Sequence, residues 1–93
     1  MDERAFYRRQ FLNSEEHGGG AFVEASISEV RERHLDATFT IADCSRVIDL
    51  DFGCYNTGAE NALLKVRRLL SVLKGFERAL QEQLEIYRAN GGT

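Results

Sequence analysis

Between Ala21 and Phe52 the apolar residues fall on every second position, and that rhythm confines the region to half-buried β-strands. In a first stretch Val23, Ala25 and Ile27 alternate with Glu24, Ser26 and Ser28. In a second, Leu35, Ala37, Phe39 and Ile41 alternate with Asp36, Thr38 and Thr40; in a third, Arg46, Ile48, Leu50 and Phe52 alternate with Val47, Asp49 and Asp51. A helix would need steps of three and four, which are missing here. The joining segments are short, so consecutive strands are expected to pair antiparallel as a meander. One face is then apolar and the other acidic and hydroxyl-bearing.

Sidedness limits the register. The second stretch has its apolar set on odd numbers and the third on even numbers. The simplest pairing sets Phe39 against Ile48, Ala37 against Leu50 and Leu35 against Phe52, around a turn at Ala42-Asp43-Cys44-Ser45. With a turn near Val30-Arg31-Glu32, Glu24 lies beside Thr38 and Asp49, and Ser26 beside Asp36 and Asp51. Asp36 then faces Asp51 directly, a like-charge pair that costs a few tenths to about 1 kcal/mol unless compensated.

The flanks change period. Asp2 to Leu12 is expected to form a short helix with Phe6, Phe11 and Leu12 on one face, and Gly18-Gly19-Gly20 a flexible connection. Thr57-Gly58-Ala59-Glu60 matches a capping box, and Ala59 to about Ala89 contains no Pro. Its apolar stripe is Ala59, Ala62, Val66, Leu69, Leu70, Leu73, Phe76, Leu80, Leu84 and Tyr87, closed by Asn90-Gly91-Gly92. The expectation is a single α+β domain over 1–93 in the order α-β-β-β-α. Residues 1–20 form the short helix and connection, 21–53 the meander, and 57–90 a long helix packed on one sheet face.

Such a helix is about 46 Å long against about 30 Å for the strands, so roughly three turns overhang. Phe76, Leu80, Leu84 and Tyr87 would form an apolar row there of a size that monomers seldom leave open. Leu64, Val72 and Ile86 make a second apolar group off the main stripe, and together these favour a homodimer with Phe76, Leu80, Leu84 and Tyr87 as its contact.

Charge and composition narrow the function classes. The formal net charge of −3 is unevenly spread: residues 13–60 carry ten acids against three bases, whereas 61–93 carry six bases against three acids. An acidic centre argues against nucleic acid as the ligand of that surface. Arg67, Lys74 and Arg78 cluster on the helix wheel, which leaves weak nucleic-acid binding as a minor alternative to a solvated face. No apolar run approaches the roughly 18 residues of a membrane span, and a charged start without a leader suggests a cytoplasmic protein with no membrane partner. Cys44 and Cys54 stand near opposite ends of one expected strand, about 30 Å apart, and are read as free thiols. His17 and His34 are isolated in sequence, and Asp49 to Gly53 departs from a calcium loop by its sixth position. No nucleophile or cleft-forming loop accompanies the carboxylates, so no enzymatic activity, metal or cofactor is expected.

The order α-β-β-β-α resembles that of double-stranded RNA-binding domains, with Thr57 to Leu70 similar to their second helix. Ala59, Glu60 and Asn61 stand where that family has its phosphate-holding lysines, so the resemblance implies the fold without the RNA contacts. The functional expectation is therefore a non-enzymatic protein–protein interaction module. It would be an adaptor or inhibitor presenting Glu24, Asp36, Asp49 and Asp51 to a basic partner, such as a nucleic-acid-binding protein. Small phage-encoded anti-restriction and anti-CRISPR proteins are comparable in size and charge. The alternative is a structural homo-oligomeric assembly or accessory subunit using the long helix, and the bland reading of the acids is a solvated face that resists aggregation.

Overall fold

The computed structural model describes residues 4–43 and 45–93, so Met1, Asp2, Glu3 and Cys44 lie outside the described residues. The chain divides after Ala62 into two compact units. The first holds β1 (Arg4–Phe11), β2 (Phe22–Ser28), β3 (His34–Leu35), β4 (Ala37–Asp43), β5 (Arg46–Asp51) and β6 (Cys54–Tyr55); the second holds most of α1 (Ala59–Ala89).

The α+β class holds, but the expected N-terminal helix is replaced by a strand. Residues Arg4 to Phe11 form β1, which pairs antiparallel with β2, and the four-stranded sheet has the order β1-β2-β4-β5. The first element therefore differs from that of the double-stranded RNA-binding order. Backbone pairing with β2 explains the change: Tyr7, Arg9 and Phe11 lie opposite Ser26, Glu24 and Phe22, while Phe6, Arg8 and Gln10 lie opposite Ile27, Ala25 and Val23. Arginine stems fill strand positions next to rings, with the Arg9 guanidinium 4.3 Å from the Phe22 ring centre and that of Arg4 4.3 Å from Tyr7. The Gly-rich segment is a hairpin loop, closed where the Leu12 N–H donates to the Ala21 carbonyl and Asn13 donates to the Gly18 carbonyl.

The period-two region forms strands with the expected sidedness, but both ladders slide by two residues. Phe39 pairs with Leu50 and Ile41 with Ile48, and Ala25 pairs with Phe39. A two-residue slide keeps every side chain on its face, so the apolar pattern alone does not choose between the registers. The observed one extends the hairpin until Asp43 meets Arg46, an opposite-charge pair, and sets Thr38 and Thr40 opposite Asp51 and Asp49. The direct Asp36–Asp51 apposition is thereby avoided.

Beyond β4 and β5 the same register runs on into β3 and β6, where Leu35 pairs with Cys54 and His34 with Tyr55. The Phe52 N–H donates to the Ala37 carbonyl and the Asn56 N–H to that of Arg33, so the long hairpin is interrupted only around Asp36 and Gly53. A tight turn joins Arg31 to His34 through reciprocal backbone bonds, and it holds Glu32 at φ 56°.

The helix starts one step later than a capping box would place it. Gly58 supplies the first carbonyl, accepting from the Ala62 N–H, while Thr57 is engaged in a bridge with Tyr55. At the other end Gly91, at φ 96°, and Gly92 donate to the carbonyls of Arg88 and Tyr87, the paired bonds of a Schellman motif. A Cβ on Gly92 would collide with the Tyr87 ring, so the glycine also seats that side chain.

Only Ala21, Ala37 and Ala42 are buried among the described residues. On the apolar sheet face Phe39, Ile41 and Leu50 are half-buried, whereas Phe6 and Ile48 are exposed, and no residue of α1 is buried.

Candidate partner-binding surfaces

The sheet gathers the four acids on one face. Across β2, β4 and β5 one row reads Glu24, Thr40, Asp49, and the next reads Ser26, Thr38, Asp51. Asp36 continues the same side beyond β4 and is tied to β2 through its backbone: its N–H donates to the Ser28 hydroxyl and its carbonyl accepts from the Ser28 N–H. Each carboxylate is oriented by a local donor. Glu24 accepts from the Tyr7 hydroxyl at 2.7 Å, Asp49 from the Thr40 hydroxyl at 2.7 Å, and Asp51 from the Gly53 N–H at 2.7 Å.

Asp36 is the most engaged of the four. One of its oxygens accepts from the Tyr55 hydroxyl at 2.9 Å and lies 3.1 Å from the His34 Nε2, while the His34 and Tyr55 rings meet edge to face at 4.5 Å. The hydrogen bond to Asp36 is the main cause that raises the Tyr55 pKa above the usual phenol value, and the one to Glu24 does the same for Tyr7. The His34–Asp36 contact joins two side chains more than half exposed, so its contribution to stability is small.

Sequence reasoning missed this His34–Asp36–Tyr55 cluster, because it depends on the register that sets residue 34 opposite 55. The legible part was that His34 and Asp36, two apart, share a strand face. The basic–aromatic column of β1 was missed as well. Arg4, Tyr7, Arg9 and Phe11 lie on the same side as the acids, so that face runs from basic at β1 to acidic at β5.

A concavity of about 600 Å³ lies between the β3–β6 ladder and the first helical turn, lined by Arg33, His34, Cys54, Thr57 and Glu60 among others. It mixes both charges. Among the described residues no group of three or more His, Cys, Asp or Glu is placed to share a metal ion. Cys54 is a half-buried free thiol.

On α1 the expected contact residues Phe76, Leu80 and Tyr87 are exposed and Leu84 is half-buried. They belong to a longer seam. Ala62, Val66, Leu69, Leu73, Phe76, Leu80, Gln83 and Tyr87 follow one another in unbroken steps of four and three, flanked by Leu63, Leu70 and Leu84. That spacing is the heptad pattern of helices that wind around another helix. A single helix has nothing of its own with which to cover it. No described helix is long and apolar enough to cross a membrane.

No family model matches the chain, and neither a curated protein nor a solved structure is significantly similar to it.

Proposed function

We propose that the protein is a non-enzymatic protein-interaction module that works as a homo-oligomer, with the long helix as its assembly element. The observation that carries this reading is the heptad seam of α1, on which Leu69, Leu73, Phe76, Leu80 and Tyr87 all expose large apolar surface. Full burial of one such side chain is worth about 1.5–3 kcal/mol, and with roughly half of each still exposed a seam of five retains on the order of half that gain per residue to set against the entropic cost of bringing chains together. Changing Leu80 and Leu84 together to Glu tests it by sedimentation. The wild type is expected to run as an oligomer and the variant as a monomer of unchanged strand content; an unchanged mass refutes the reading.

A second reading concerns the sheet. Glu24, Asp36, Asp49 and Asp51 share one face and are held by hydroxyl or backbone donors, which supports a preformed acidic surface for a basic partner. An inhibitor or adaptor of the anti-restriction or anti-CRISPR kind would use such a surface. Asp49 is the cleanest position to reverse, since its carboxylate accepts from the Thr40 hydroxyl, whereas Asp36 also holds Tyr55 and lies beside His34.

A further inference from the structure

The partner of the α1 seam is identifiable from the helix itself. Resting on the reading of the helix as the assembly element, we infer that the seam pairs antiparallel with α1 of a second copy, about a twofold axis passing between Lys74 and Gly75. Three features converge on this arrangement.

The spacing comes first. Alternating steps of four and three average 3.5 residues, which keeps a narrow stripe in contact with another helix under left-handed winding. A second helix is therefore the matching shape.

Charge then sets direction. From Ala59 to Lys74 the helix carries Lys65, Arg67, Arg68 and Lys74 against Glu60, whereas from Gly75 to Ala89 it carries Glu77, Glu82 and Glu85 against Arg78 and Arg88. A parallel pair sets the basic half against its own copy. An antiparallel pair instead brings each basic half beside the half in which acids outnumber bases by three to two, which relieves that repulsion, and it also opposes the helix dipoles.

Side-chain size agrees with the same alignment. With the axis between Lys74 and Gly75, Leu73 meets Phe76 of the second copy, Leu69 meets Leu80, Val66 meets Gln83, and the narrow Ala62 meets the broad Tyr87. On the flank Leu63 meets Leu84. Large faces small at the ends and medium faces medium between, so the layers have similar total volume and interdigitate. Parallel packing would stack Tyr87 on Tyr87 and Ala62 on Ala62, alternating overfilled and underfilled layers.

Thiol crosslinking of the full-length chain, with Cys44 and Cys54 changed to Ser, tests the pairing directly. Val66→Cys and Gln83→Cys are made as separate proteins, and Leu69→Cys and Leu80→Cys serve as a second pair should either of the first fail to keep the helical circular dichroism. In the antiparallel pair residue 66 of one copy lies beside 83 of the other, while like residues stand about 25 Å apart along the axis. A short bifunctional maleimide is then expected to capture on the order of tenfold more dimer from the equilibrated mixture than from either variant alone. Capture of each variant with itself overturns the antiparallel pairing, and so does a dimer that no combination captures. Sedimentation separates this from the underlying proposal. A monomeric wild type, or a dimer that survives Leu80→Glu with Leu84→Glu, defeats the helix as assembly element; a helix-dependent trimer or tetramer leaves that reading standing and overturns only the pair.

Discussion

Gly53 stands at the interruption of the long hairpin, and adding a single methyl group there should cost more than it gains. A Cβ at this position would lie 2.9 Å from the Tyr55 hydroxyl, 3.0 Å from the Asp51 Oδ1 and 3.0 Å from the Leu35 carbonyl oxygen. The two side chains can swing aside, but Leu35 is fixed by its pairing with Cys54. Moving the Tyr55 ring also pulls its hydroxyl from Asp36. Overpacking of this kind costs about 1–3 kcal/mol, and the loss of unfolded-state freedom on replacing Gly returns about 0.4–1 kcal/mol. Gly53→Ala is therefore expected to lose about 1–2 kcal/mol. With a urea slope of about 1–2 kcal/mol/M, the midpoint falls by about 1 M. The measurement is urea unfolding at one fixed protein concentration, because association adds to apparent stability. A parallel spectrophotometric titration should show the Tyr55 phenol moving back toward its ordinary value. A wild-type midpoint together with an unaltered tyrosine titration would refute the steric argument.

Two further outcomes follow from local geometry. Tyr7 and Tyr55 both titrate above the ordinary phenol range because each donates to a carboxylate. Folding thus favours their protonated forms, so their contribution is fully present below pH about 10 and is lost as pH rises through the elevated folded values. Unfolding followed from pH 8 to 11.5 should show stability falling at the alkaline end, with a shallower fall in Tyr55→Phe; an identical slope in both proteins contradicts the assignment. At the tight turn, Glu32 occupies φ 56°, where a side chain costs roughly 1–2 kcal/mol, of which Gly forfeits about 0.4–1 kcal/mol through its freer unfolded state. Glu32→Gly should raise the urea midpoint by the equivalent of about 0.5–1 kcal/mol, and a lowered midpoint would show that this turn is not strained.

The sheet was legible where side-chain period alone decides the outcome. Val23 to Ile27, Ala37 to Ile41 and Ile48 to Leu50 sort to one face in both sequence and structure, because exchanging faces would require a one-residue slip. The choice between slips of two was not legible. It turns on which residues stand opposite Asp49 and Asp51, and the hydroxyls of Thr38 and Thr40 win over another carboxylate. The first strand was misread because Phe6-Tyr7 and Phe11-Leu12 are adjacent apolar pairs that suit a helix, while Arg4 and Arg9 count as polar in a pattern although their guanidinium groups lie over rings. The helix was legible over its whole length, yet its cap was not. Thr57 has the right chemistry for the cap, but its backbone is held by the bridge to Tyr55, a long-hairpin feature that no local motif encodes.

The alanine interior has a thermodynamic corollary. Ala21, Ala37 and Ala42 present so little surface that melting a solitary chain newly wets few large side chains. Its calorimetric heat-capacity step should then fall below the usual 12–15 cal/mol/K per residue, roughly, and its transition should be shallow. Association moves the hydration change into the contact between chains, so the concentration of the solution sets the steepness of melting as much as the sequence does.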